Sequence, residues 1–94
     1  MVSKYEVVEM EKNTWYEDGS PSITNRWLCD SEDDAILQLH VRKVEAEIHG
    51  RTDVRFEARE NGEGIAGEVP DDDVVYQTLA EMGYTEEEIL SVLQ

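Results

Sequence analysis

The apolar positions of this 94-residue chain change period several times, and each change marks a new element. Tyr5, Val7 and Val8 begin a β-prone run that closes at Trp15 and Tyr16, before the turn-forming sequence Glu17-Asp18-Gly19-Ser20-Pro21. Asp-Gly supplies a positive-φ residue and Ser-Pro a fixed φ, so residues 23–29 are predicted to return as the second strand of a hairpin. On strict alternation Ile23, Asn25, Trp27 and Cys29 share one face. Val7 beside Val8 breaks that alternation and leaves the register of the first strand open.

Ser31-Glu32-Asp33-Asp34 sets a serine ahead of a carboxylate at capping distance, the signature of a helix N-terminus with acid complementing the dipole. Leu37, Val41, Val44 and Ile48 then form a stripe at helical spacing, and Gly50 is placed to end the helix in a left-handed conformation. Leu37, Leu39 and Val41, and again Val44, Ala46 and Ile48, also alternate with period two. Two short strands are therefore the rival for residues 35–48. Cap, stripe and stop agree with one another while the alternation loses phase at Arg42-Lys43, so one helix is the reading taken.

Residues 54–58 alternate cleanly, Asn61-Gly62-Glu63-Gly64 reads as a turn, and residues 65–69 are predicted as a weaker returning strand interrupted by Gly67. Pro70 ends that strand. Asp71-Asp72-Asp73 opens a helix with Val75, Leu79 and Met82 inward and Gly83 as its stop. In the last segment Thr85 and Glu88 make a capping box, and Tyr84 can pack on Ile89 as a hydrophobic staple. The helix that follows is too short to stand alone, so Ile89, Leu90 and Leu93 must dock on the preceding helix or the sheet. Met82-Gly83-Tyr84 resembles the Met-Gly-Phe/Tyr loop of ubiquitin-associated domains over this short stretch; a glycine cap followed by a capping box accounts for the same letters.

The predicted order is ββαββαα. Hairpins on both sides of a long helix imply a small two-layer α+β domain: an antiparallel sheet of about four strands, one long helix and a C-terminal helix hairpin. With 39% apolar residues the chain supports one modest core, so residues 1–94 are read as a single domain.

Charge changes the picture more than composition does. Of the 23 carboxylates in a chain of net charge −15, ten fall from Glu60 onward, where there is no lysine or arginine. Such a field attracts cations and basic surfaces and repels nucleic acid and anionic lipid, so direct nucleic-acid or membrane binding is not expected. Cys29 is the only cysteine and no apolar run opens the chain, which points to a reducing, cytoplasmic location.

No catalytic, metal or cofactor motif emerges. Asp71-Asp72-Asp73 lacks the alternating ligands of a calcium loop, with Tyr76 where its glycine and Met82 where its closing glutamate would stand. His40 and His49 lack the spacing that would put both on one helix face. Cys29 precedes a helix N-terminus, a setting that can activate a thiol, but Asp30, Glu32, Asp33 and Asp34 oppose thiolate formation. Gly62, Gly64 and Gly67 are flanked by acid and make no phosphate cradle.

The expected function is that of a non-enzymatic acidic binding protein without cofactor or metal. Its sharp form is an inhibitor that imitates nucleic-acid charge and occupies a basic groove of a nucleic-acid-binding protein, in the manner of phage anti-defence proteins. The predicted surface comprises Glu63, Glu68, Asp71, Asp72, Asp73, Glu81, Glu86, Glu87 and Glu88, extended by Asp33 and Asp34 where the first helix adjoins it. The alternatives are a halophilic cytosolic protein, or a regulatory or adaptor module whose acid is solubilising and whose interface is apolar.

Overall fold

The computed structural model describes residues 4–15 and 21–93, of which residues 12–15 and 21 are described in backbone only. The elements are β1 (Tyr5–Trp15), β2 (Pro21–Cys29), α1 (Glu32–Ile48), β3 (Val54–Glu60), β4 (Glu63–Gly64), α2 (Asp72–Glu81) and α3 (Glu86–Leu93). This is the α+β arrangement expected, with residues 35–48 in one helix. The strands form one antiparallel sheet in the order β2-β1-β3-β4. The turn residues 16–20, and the Trp15 side chain, lie outside the described residues.

Val7 and Val8 are both buried because β1 runs through the middle of the sheet. Val7 pairs with Trp27 and Ala58 on the face beneath α1, where it packs with Cys29, Ala35 and Ile36. Val8 and Met10 face the other way, among Ile23, Arg26, Arg55 and Glu57. Arg59 reaches across that helix-free face to Met10 Sδ at 3.8 Å.

A bulge corrects the predicted face of β2. Glu9 pairs with Asn25 and Met10 with Ile23, so Thr24 is the extra residue. Asn25, Trp27 and Cys29 remain on the α1 face, but Ile23 moves to the face of Met10. Alternation read from the sequence cannot register an inserted residue.

The β3–β4 turn is tighter than the sequence pattern implies. Asn61 (φ 52°) and Gly62 (φ 84°) alone make the two-residue loop, both left-handed as a type I′ hairpin requires, and Glu60 pairs directly with Glu63. The returning strand is therefore Glu63–Gly64, and the predicted strand at residues 65–69 is instead irregular chain. Ile65 still donates its N–H to Ala58 O at 2.9 Å before the chain crosses to α1. There Gly67 lies so close to α1 that an added Cβ would stand 3.2 Å from Ile36 Cγ1.

α1 has two working sides. Ala35, Ile36 and Leu39 meet the sheet, while Leu37, Val41 and Val44 meet Val75, Leu79 and Ile89 of the α2–α3 hairpin. The stripe read from the sequence is the second of these; the sheet-facing side needs Ile36 and Leu39 as well. All three helices lie on one side of the sheet, the hairpin against α1. Ile89 is fully buried and Leu93 packs beside it, so α3 docks on α1 as well as on its hairpin partner. Met82 is an exception to the predicted inward set. It is the α2 C-cap, 40% exposed, and Gly83 at φ 104° turns the chain back.

Candidate functional site: an acidic groove between α1 and α2

The first turn of α1 and the irregular chain that enters α2 face each other across a groove of about 580 Å³. Local sequence builds both walls. On one side Ser31 Oγ accepts the Asp34 N–H at 3.1 Å and starts α1, which sets Glu32 and Asp33 at the rim. On the other, Pro70 and the N-cap Asp71 end the extended chain and start α2. Glu68 and Asp71 complete the rim, and Ile36, Val69 and Val74 supply apolar surface. Val69 and Val74 are 70% and 45% exposed.

Each carboxylate predicted for the site is exposed except Asp34, which is half-buried. The groove gathers Asp33, Glu68 and Asp71, with Asp72 and Asp73 following on the exposed first turn of α2. Asp34 is turned to local work, its Oδ2 accepting the Asp30 N–H at 3.3 Å. Glu81 stands at the far end of α2, ~13 Å along the helix axis from Asp72. Glu86, Glu87 and Glu88 form the first turn of α3, next to that end, and Glu63 lies on β4. Glu88 closes the capping box, accepting from the Thr85 N–H at 3.0 Å and the Thr85 hydroxyl at 2.9 Å. Those bonds hold its carboxyl below the usual glutamate range. Apart from Asp34 and Glu63, the predicted acid thus falls into two groups, one around the groove and one at the α2–α3 turn.

Glu32, Val69 and Val74 are members of the groove that the sequence pattern did not single out. Their only signal was position: Val69 precedes Pro70 at the end of a poor strand pattern, and Val74 is an apolar residue off the inward stripe of its helix.

Other titratable groups lie away from this groove. Cys29 is buried, and desolvation followed by the nearby Asp34 and Asp30 charges pushes its thiol up to about 11. It is suited neither to nucleophilic attack nor to metal binding near neutral pH. Burial lowers the His40 pKa, with Lys43 adding to the effect. His49 Nε2 lies 2.9 Å from Tyr84 Oη, which donates to Glu45 Oε2 at 2.6 Å and ties the α2–α3 turn to α1. Among the described residues no group of three or more His, Cys, Asp or Glu side chains is arranged to hold a metal ion. Nor is any described helix long and apolar enough to cross a membrane.

No protein-family model, curated protein or solved structure matches this chain.

Proposed function

We propose that this chain is a non-enzymatic binding protein whose groove between α1 and α2 receives a basic, partly apolar surface of a partner protein. The observation that carries this reading is a rim of Glu32, Asp33, Glu68 and Asp71 around the exposed Val69 and Val74. Water and counterions satisfy carboxylates standing alone. The valines gain only from being covered, at about 25 cal/mol per Å² of apolar surface buried. Lysines or arginines flanking an apolar side chain of the partner would meet both needs. The net charge of −15 steers such a partner toward the chain.

In its sharp form the partner is a nucleic-acid-binding protein, and the chain acts as an inhibitor that occupies the basic surface otherwise held by DNA or RNA. Release of counterions from the partner would then drive binding with the usual roles of protein and nucleic acid reversed.

The test reverses charge at Asp33, Glu68 and Asp71 together and compares the variant with reversal of Glu81, Glu86 and Glu87. Glu6 and Glu9 would not serve as controls, since they are bound to Arg26 and Arg51. Groove reversal is expected to abolish capture of a basic partner from the source cells while the control retains it, with both folds intact by circular dichroism. Binding should weaken as salt rises, and added DNA or RNA should compete in the inhibitor form. Equal loss in both variants, or equal binding at low and high salt, would sink the proposal.

A further inference from the structure

Among the described residues, β3 has an edge that is left largely uncovered. All seven of its residues pair with β1, but on the other side β4 pairs only with Arg59 and Glu60. The Ile65 N–H reaches one residue further, to Ala58 O. Main-chain groups alternate sides along a strand, so this bond fixes the direction of the rest: Ala58, Phe56 and Val54 turn their N–H and C=O away from β1. Among the described residues no strand pairs with Val54 or Phe56 on that side. The fourth strand stops after two residues, and its lane continues alongside residues 54–57 without it.

A groove of about 400 Å³ borders residues 54–56 and the C-terminal half of α1. Val54 and Phe56 give it apolar surface. Lys43 and Arg51 line it against one carboxylate, Glu47, a local balance opposite to that of the chain as a whole. Arg51 is already held by Glu9, and Lys43 is exposed at the groove.

We propose that an extended acidic segment of a partner protein binds here by adding a strand to the β3 edge, with its side chains alternating between the groove and solvent. The main chain of Val54 and Phe56 supplies the ladder, and the cations select carboxylates on the incoming strand. This surface is separate from the acidic groove between α1 and α2, so failure of one proposal leaves the other standing.

The probe is a set of decapeptides selected from a random displayed library against the full chain. Selected peptides are expected to be net negative with alternating apolar residues, and to shift the amide resonances of residues 54–57. The Phe56 amide should exchange more slowly in the complex. N-methylating one alternate set of peptide amides should abolish binding and methylating the other set should leave it, because only one set faces β3. Lys43→Glu should weaken the same peptide about fivefold with the fold unchanged, the scale of one partly exposed ion pair. Failure to select any binder would overturn the proposal. So would selection of basic peptides that map to Asp33 and Asp71, or binding indifferent to N-methylation.

Discussion

Arg51 Nη1 lies 3.0 Å from Glu9 Oε1, and the pair ties the chain after α1 to the middle strand of the sheet. Glu9 is only 3% exposed. The bulge supplies its other partners: Thr24 donates its hydroxyl to Glu9 Oε2, and Asn25 Nδ2 approaches the same oxygen at 3.3 Å. A buried carboxylate is tolerated here because each of its oxygens meets a donor.

Arg51→Ala should therefore cost more than an ordinary surface ion pair. It leaves the Glu9 carboxylate buried with only neutral donors, and the loss is expected at about 2–3 kcal/mol, below the full buried-pair figure because the arginine is half exposed. Urea unfolding measures it. A loss under about 0.5 kcal/mol would show that water reaches Glu9 and that the pair is an ordinary surface one.

Glu9 also marks the boundary of what the sequence made legible. The Ser31 cap of α1 and the Thr85–Glu88 box are written in neighbouring residues and form where local chemistry predicts, while the Asn61-Gly62 turn forms at the predicted place but two residues shorter. The bulge at Thr24 depends on the pairing of β2 with β1 and the burial of Glu9 on Arg51, both distant in sequence, so no window of neighbouring letters contains them. The groove was half visible. The acids at residues 33, 68 and 71 could be named, but their meeting depends on how the chain after Gly64 crosses α1. Gly67 permits that crossing by its lack of a side chain, whereas in the sequence it read only as an interruption of a strand.

α3 should prove integral to the fold. Ile89 is fully buried against Val41, Val75 and Leu79, with Tyr84 and Leu93 packed around it. Ile89→Ala is expected to cost about 2–4 kcal/mol through lost transfer energy and the cavity left behind. Deleting residues 84–94 should lower the melting temperature further. An unchanged melting temperature in the truncated chain would mean that α3 adds nothing to the core.

Tyr84 should titrate late. Burial raises its phenol, the hydrogen bond to Glu45 and that carboxylate's charge raise it more, and the result is about 12. The folded pKa lies above the ordinary value near 10, so the unfolded chain gives up its proton first. The stabilisation is complete below pH 10 and is lost as pH rises toward 12. Absorbance at alkaline pH should show one tyrosine ionising after the others while the fold persists. Tyr84→Phe should remove that last step; a late step that survives the substitution would place it elsewhere.

The acid itself should act on stability in two opposed ways that experiment can separate. Glu32, Asp33 and Asp34 in α1, Asp72 and Asp73 in α2, and Glu86, Glu87 and Glu88 in α3 all occupy first helical turns. There a carboxylate meets the positive end of the helix dipole and stabilises by about 0.3–1 kcal/mol. Against this stands the mutual repulsion of a chain of net charge −15. Salt screens the longer-range repulsion between charges most completely, so the melting temperature should rise over the first ~0.1–0.2 M salt, where the Debye length falls to ~8–10 Å. The double change Asp72→Asn and Asp73→Asn relieves repulsion and removes dipole complement at once. If the dipole dominates, this variant melts below the parent at 0.15 M salt, the concentration at which ~8 Å screening leaves mainly the local term. A variant that melts higher would show that these carboxylates strain the fold, as expected of residues kept for a partner. A parent chain that folds only in molar KCl would instead mark the acid as a halophilic adaptation, and a cooperative melt at ordinary salt would remove that reading.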